Sequence, residues 1–107
     1  MSAARTPEEL ETLLEDAFVL HDHEALAQLF EPDAVLHRPG QRGEAHGRQQ
    51  IECLVADLWD HQSQYVANPR AVLQLRGTAL IISEPAINVV RRTPDGTWRY
   101  AIVYLSH

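Results

Sequence analysis

The residues of this chain best placed to do chemistry are polar side chains within or at the ends of apolar runs. Arg38 ends a short predicted strand, 34–38, and its planar guanidinium could bind a carboxylate, a phosphate or an enolate oxygen. His37 precedes it, and an imidazole is a natural general acid or base near neutral pH. Because successive strand residues face opposite sides, His37 points away from any cavity that Arg38 faces.

Asn88 is the third candidate, because it interrupts the apolar run Ile87, Val89 and Val90. A hydrogen-bonding group there favours a pocket position, where it would be a neutral donor. Arg38 and Asn88 also have purely structural interpretations. Arg38 could be a surface residue paired with Glu44, and Asn88 could point outward from a half-exposed strand.

The histidines and the cysteine do not form a pattern that is typical of a reactive site. His21 and His23 are two residues apart, and the other histidines are dispersed, without the i, i+4 spacing of helical metal sites. We therefore predict neither a metal nor a cofactor. Cys53 is interpreted as a semi-buried free thiol, and a single cysteine favours a reducing, cytoplasmic location.

Composition limits the partners of the protein. The 107 residues favour one domain, 1–107, in which we expect residues 1–5 to be flexible. The net charge of −6 argues against nucleic acid, since phosphate binding needs a basic face. No run approaches the length of a membrane helix, so we expect no membrane partner.

Three helices are predicted from apolar residues at helical spacing. The first begins at Thr6-Pro7, a cap followed by a proline at the first helical position, and Glu9 completes a capping box. Asp22 caps a short second helix, which Pro32 ends. Gly47 opens the third helix. The predicted buried face of the third helix is Ile51, Leu54, Val55, Leu58 and Trp59.

Four β-rich runs follow the helices. They span residues 72–75, 78–83, 86–92 and 97–105, and Pro94-Asp95-Gly96 forms a hairpin turn before the last one. Helices followed by antiparallel strands indicate an α+β domain. Both faces of the last strand are apolar, with Trp98, Tyr100, Ile102 and Tyr104 on one side. We therefore expect a second copy of the chain to cover the outer face of the sheet.

Several short motifs follow one another along the chain in the order that one known protein family shows. They are Thr6-Pro7-Glu8-Glu9, His21-Asp22-His23-Glu24-Ala25-Leu26, Leu29-Phe30, Pro32-Asp33-Ala34-Val35, Pro39, Gly47-Arg48-Gln49-Gln50-Ile51 and 91–99. Together they resemble the SnoaL-like, ketosteroid-isomerase-like proteins of the nuclear transport factor 2-like group. The resemblance implies a cone-shaped, cystatin-like fold, in which three N-terminal helices pack on a curved antiparallel sheet around a cavity. Only Glu84-Pro85 separates the two middle strands, where relatives often have a longer connection.

The resemblance also implies which positions would carry ketosteroid isomerase chemistry. The base position falls on Arg38, the tyrosine position on Leu14 and the second acid position on Asn88. Arginine stays protonated and leucine has no donor, so the isomerase chemistry is not expected. Arg38 and His37 remain the only catalytic candidates. The implied pocket residues are Leu14, Phe18, Arg38, Leu54, Val55, Trp59, Asn88 and Val90.

Three functions remain open on these residues. The first is a protein that binds, or acts on, a polyketide-like or steroid-like oxygenated metabolite, with lyase, isomerase or cyclase chemistry if it is an enzyme. The second is a non-catalytic ligand-binding module, and the third is a dimerisation domain. For the first two we expect a cavity that is apolar at its floor and polar at its mouth, where Arg38 holds an anionic oxygen unless a nearby carboxylate neutralises it.

Overall fold

The computed structural model describes residues 3–40, 44–62, 64–84 and 86–105. These residues form an α+β domain in which helices pack on a curved, unclosed sheet, so the predicted fold class is confirmed. The helices are α1 (Pro7–Leu20), α2 (His23–Gln28) and α3 (Gly47–Asp60). The strands are β1 (Phe30–His37), β2 (Ala45–His46), β3 (Pro69–Leu75), β4 (Thr78–Ser83), β5 (Ala86–Arg92) and β6 (Trp98–Leu105).

Helix α1 begins and ends as local side-chain chemistry dictates. The hydroxyl of Thr6 accepts a hydrogen bond from the Glu9 backbone N–H at 3.1 Å, and Pro7 takes the first helical position. The helix ends at Leu20, and the next residue, His21, adopts the left-handed conformation that closes many helices. Leu10, Leu14 and Phe18 are buried on its inner face.

The second helix is shorter than the sequence suggested. Asp22 caps it through a 3.1 Å bond from the Ala25 backbone N–H, as expected. It ends at Gln28, however, and Pro32 lies inside β1 rather than ending the helix. The prediction about Pro32 was therefore wrong. An edge or bulged position in a strand tolerates proline, and the pairing of β1 with β6 shifts register between Phe30 and Val35.

Helix α3 opens at Gly47, which has a positive φ of 83°. A Cβ atom there would lie 3.4 Å from the Pro32 carbonyl oxygen, so glycine suits both the backbone conformation and the close approach to β1. The predicted apolar face of α3 is confirmed. Ile51, Val55, Leu58 and Trp59 are buried, and Leu54 is partly buried against the core.

The six strands form one sheet in the order β2-β1-β6-β5-β4-β3. All neighbours are antiparallel except β1 and β6, which are parallel. One register shift, between β5 and β6, determines which residues of β6 face inward. Val89 lies opposite Ile102 and Val90 opposite Tyr100, so Ala101 is an extra residue that forms a β-bulge.

The bulge changes which side chains of β6 share a face. Before it, Trp98 and Tyr100 point inward and are buried. After it, Ile102 and Tyr104 point outward and are about half exposed, at 47% and 50%. The expectation that Tyr100 shares a face with Ile102 and Tyr104 was therefore wrong, because strict alternation fails at a bulge.

Ala4 is buried and its carbonyl accepts from the Trp98 N–H at 2.9 Å, so this part of the N-terminal segment packs on the final hairpin. Cys53 is exposed rather than semi-buried. Pro85 of the short connection lies outside the described residues.

Among the described residues, no helix is long and apolar enough to cross a membrane.

Candidate functional site

Four polar side chains meet inside the domain, between α1 and the inner face of the sheet. They are Glu11 on α1, Tyr65 in the connection between α3 and β3, Asn88 on β5 and Tyr100 on β6. Glu11, Asn88 and Tyr100 are fully buried, and Tyr65 is only 3% exposed. Buried polar side chains in this number are unusual, and together they form what we call the Glu11 cluster.

Every other member of the cluster donates a hydrogen bond to the carboxyl group of Glu11. The Tyr65 hydroxyl lies 2.9 Å from Oε1 and 3.0 Å from Oε2. Asn88 Nδ2 lies 3.1 Å from Oε2, and the Tyr100 hydroxyl donates to the same oxygen. Asn88 Nδ2 is also 3.0 Å from the Tyr65 hydroxyl oxygen. The donors therefore converge on one point.

Local structure explains why these side chains meet. Glu11, Leu14 and Phe18 lie at i, i+3 and i+7 on α1, which places all three on the helix face that packs against the sheet. Asn88 faces the same interior, as its burial shows, and Tyr100 is directed inward just before the bulge at Ala101.

Burial controls the charge of the cluster. It raises the pKa of the Glu11 carboxyl above its ordinary value, and the hydrogen bonds from Tyr100, Tyr65 and Asn88 offset only part of the rise. Burial, reinforced by the nearby negative charge of Glu11, also raises the pKa values of the Tyr65 and Tyr100 hydroxyls. The two phenols therefore stay un-ionised, and the carboxyl group holds its proton more strongly than an exposed glutamate.

One acceptor in the cluster is unused. Asn88 Oδ1 is buried and has no hydrogen-bond partner among the described residues. A buried polar atom left without a partner costs about 1–3 kcal/mol, which a bound donor would recover. The donors of the cluster already bond to Glu11 or Tyr65, so its unused group is an acceptor. That acceptor can take a hydrogen bond from a hydroxyl or an N–H of a neutral molecule.

A pocket of about 440 Å³ adjoins the cluster, beside the C-terminal ends of α1 and α3. Its lining residues are Glu15, Asp16, Phe18, Val19, His21, Trp59, Gln62, Gln64, Tyr65 and Val66. The Phe18 ring lies 5.8 Å from the rings of both Trp59 and Tyr65, and His21 stacks on Trp59 at 4.8 Å. Tyr65 links the two regions, because it lines the pocket while its hydroxyl contacts Glu11.

Most of the predicted pocket residues lie in the core around this site. Leu14, Phe18, Val55, Trp59, Asn88 and Val90 are buried, and Leu54 is partly buried. Of these, Phe18 and Trp59 line the pocket and Asn88 belongs to the cluster.

The two catalytic candidates lie elsewhere. Arg38 is partly exposed and pairs with Asp57 of α3 at 2.8 Å, so a carboxylate other than Glu44 supplies its countercharge. Glu44 instead lies 3.4 Å from His46. His37 stacks on Tyr104 of the outward face, with ring centroids 4.7 Å apart. Neither Arg38 nor His37 has a described contact with the Glu11 cluster.

Glu11 and Tyr65 were not predicted from the sequence, and Tyr100 was given no site role. From the sequence we also expected polar groups at the mouth of the cavity, and the Glu11 cluster is a further, buried set of polar groups beside the pocket. One signal could have revealed Glu11, since an acid at i−3 from Leu14 and i−7 from Phe18 shares their face. Tyr65 lies in an irregular segment, where no periodicity predicts which way it points.

Among the described residues, no group of three or more His, Cys, Asp or Glu side chains is placed to hold a metal ion.

Solved structures share this architecture. A ketosteroid isomerase-like protein from Erwinia carotovora atroseptica matches with a TM-score of 0.72 and 19% identity, covering 91% of this chain and 89% of that one. A nuclear transport factor 2-like protein with a cystatin-like fold from Novosphingobium aromaticivorans matches with 0.69 and 23%, covering 91% and 76%. A cystatin-like protein of unknown function from Nostoc punctiforme matches with 0.68 and 16%, covering 91% and 84%. The fold is therefore of the nuclear transport factor 2-like, cystatin-like class.

The sequence identifies the family within that class. The family model described as the SnoaL-like domain matches residues 10–105, which is nearly the whole chain. The protein belongs to the SnoaL-like domain family. No curated protein shows significant sequence similarity to it.

Proposed function

We propose that this protein binds a small, neutral, largely apolar molecule that carries oxygen, such as a polyketide-like or steroid-like metabolite. The observation that carries the proposal is the Glu11 cluster, whose buried acceptor Asn88 Oδ1 has no partner among the described residues, beside an aromatic pocket that shares Tyr65 with the cluster. The apolar body of the ligand would occupy the pocket, and its oxygen would be bound by the cluster. About 440 Å³ falls within the range typical of small-molecule sites.

The charges of the site favour a neutral ligand over an anionic one. Arg38, which we expected to hold an anionic oxygen, is paired with Asp57. The pocket lining contains Glu15 and Asp16 but no arginine. An anion next to Glu11 would lose its hydration without gaining a cationic partner, which is unfavourable in a dry site.

An NMR titration tests the proposal with 1-tetralol, a bicyclic alcohol, and tetralin, which lacks its hydroxyl. We expect saturable shifts of the Trp59 indole N–H, because Trp59 lines the pocket. The Trp98 indole is the internal control, since it packs elsewhere, under the Arg92 guanidinium. 1-Tetralol should bind roughly fivefold to tenfold more tightly than tetralin, the effect of about 1 kcal/mol for one hydrogen bond added to Asn88 Oδ1.

Two outcomes of that titration would contradict the proposal. One is the absence of any saturable shift at Trp59 with either compound. The other is equal shifts at Trp59 and Trp98, which would indicate non-specific association with the surface.

We also propose that the domain lacks ketosteroid isomerase chemistry. Proton abstraction needs a base facing the substrate, and Arg38 stands at the family's base position with its charge paired to Asp57. Leu14 stands where the family has a tyrosine. A β,γ-unsaturated ketosteroid should therefore isomerise at the buffer rate in the presence of the protein. An enzyme-dependent rate that Glu11→Gln abolishes would prove this prediction wrong and would make Glu11 part of the machinery.

A homodimer through the outer face of the sheet is the quaternary state that we propose. Two rows of outward side chains cross five strands, as the strand registers show. One row is Leu73, Leu80, Val89, Ile102 and Val35, and the other is Ala71, Ile82, Ile87, Tyr104 and His37. Most of these side chains are apolar and none is fully buried within one chain. A continuous apolar face of this kind supports association with a second copy.

A further inference from the structure

Tyr65 belongs to a short extended segment, residues 64–68, that we call the strap. The strap has no regular secondary structure and precedes β3 directly. It lies along α1 and is held by two glutamates of that helix. The Tyr65 hydroxyl bonds to Glu11, and the Ala67 backbone N–H donates to Glu15 Oε2 at 2.9 Å.

The spacing of these two attachments matches helix and strap geometry. Glu11 and Glu15 are four residues apart, a rise of about 6 Å along a helix. Tyr65 and Ala67 are two residues apart, which is roughly 6.6 Å along an extended chain. Val66 lies between them, and its side chain points away and is 56% exposed. The strap is thus attached at two points and open to the pocket that it borders.

The environment of the Tyr65 side chain is complementary to a phenol. Its hydroxyl donates to Glu11 and accepts from Asn88 Nδ2, so the position requires a group that does both. A hydroxyl does both, whereas a ketone or an ether can only accept. The Phe18 ring, 5.8 Å away, packs beside the aromatic ring, and the raised pKa of Tyr65 keeps that hydroxyl un-ionised.

We infer that Tyr65 occupies the inner part of the ligand site as an internal phenol, and that phenols bind there by displacing it and the strap. The inference rests on the proposed function and narrows its ligand class to hydroxyaromatic compounds. The neighbouring pocket provides the route, since Tyr65 and Val66 form part of its wall. Neutral phenols are favoured, because a phenolate would face the oxygens of Glu11.

The test uses p-cresol, which has the ring and hydroxyl of a tyrosine side chain, and toluene, which lacks the hydroxyl. Binding is measured by NMR to the wild type, to Tyr65→Ala and to the control Asn68→Ala, which changes an exposed strap residue that does not line the pocket. We expect p-cresol to bind Tyr65→Ala roughly tenfold or more tightly than the wild type, since the wild type must first open the strap. Toluene should bind Tyr65→Ala more weakly than p-cresol does, and Asn68→Ala should behave as the wild type.

Amide hydrogen exchange in the wild type provides the second readout. Displacing the strap breaks the bond from the Ala67 N–H to Glu15, so p-cresol should speed exchange at Ala67 while slowing exchange around the cluster. If Tyr65→Ala does not fold, Tyr65→Phe replaces it. That variant keeps the ring but loses the attachment to Glu11, so it should bind p-cresol more tightly than the wild type.

Several results would overturn the inference. They are failure of the wild type to bind p-cresol, unchanged exchange at Ala67 on binding, or equal affinity of toluene and p-cresol for Tyr65→Ala. The proposed function is tested separately. Saturable binding of 1-tetralol at Trp59 with Ala67 still protected from exchange would support that function while showing that the strap stays closed.

Discussion

Glu11→Gln should make the stability of this protein less dependent on pH, and the variant should become progressively more stable than the wild type above about pH 4.5. Burial raises the pKa of Glu11 in the folded state. As the pH rises past 4.5, the ordinary value, Glu11 ionises first in the unfolded chain, which then binds fewer protons than the folded one. The free energy of unfolding of the wild type therefore falls between 4.5 and the folded pKa. Below pH 4.5 Glu11 is mostly protonated in both states, so the wild type has its full stability from this group.

The fall in the free energy of unfolding with pH has a known upper limit. One full proton difference changes the free energy of unfolding by about 1.4 kcal/mol per pH unit. Glutamine does not titrate, and its amide resembles a protonated carboxyl group in shape, so its oxygen can still accept from Tyr65 and Tyr100. Urea unfolding at several values between pH 4 and 8 measures the effect.

Glu8→Gln is the matched control for this experiment. It removes the same charge from α1 at an exposed position with no part in the cluster. We expect the Glu8→Gln protein to show the same decline in stability as the wild type. Parallel curves for the wild type and Glu11→Gln would contradict the account of Glu11 as a proton-retaining buried acid.

Ile102→Glu should convert the proposed homodimer into a monomer. Ile102 lies in the middle of an outward row, between Val89 and Val35, and is 47% exposed in the single chain. In a two-fold dimer each substitution occurs twice, and each glutamate would be buried without a cationic partner. Such burial costs several kcal/mol, so we expect the dimer affinity to fall roughly a hundredfold or more.

Sedimentation equilibrium measures this prediction. Leu20→Glu is the control, because Leu20 is 71% exposed on α1, away from the sheet face. It should leave the dimer intact. A wild-type protein that is monomeric at tens of micromolar, or an Ile102→Glu protein that dimerises like the wild type, would disprove association through this face.

The sequence predicted the elements of the fold better than the details that build the site. Helix starts depend on caps such as Thr6 and Asp22, and the ends of β4 and β5 match their predicted ranges, because these signals are local. The bulge at Ala101 depends on pairing between β5 and β6, so alternation within β6 alone wrongly grouped Tyr100 with Ile102 and Tyr104.

The candidate site was harder to predict for a related reason. Asn88 was recognisable because a polar residue interrupts an apolar strand. Glu11 was passed over because a search for apolar periodicity does not register an acid on the buried face, and an isolated buried acid is costly. Its burial becomes tolerable only with donors from Tyr65, Asn88 and Tyr100, which are 54 to 89 residues away in sequence. That arrangement is a property of the tertiary structure.

A crystal structure of the protein soaked with 1-tetralol tests the central claim most directly. We expect the ring system in the pocket beside Phe18 and Trp59. We also expect the hydroxyl oxygen about 2.5–3.0 Å from Asn88 Oδ1, the unused acceptor of the Glu11 cluster. An alcohol found only on the outer face of the sheet, or held in the pocket with its hydroxyl directed to solvent, would contradict the claim that the cluster recognises the ligand.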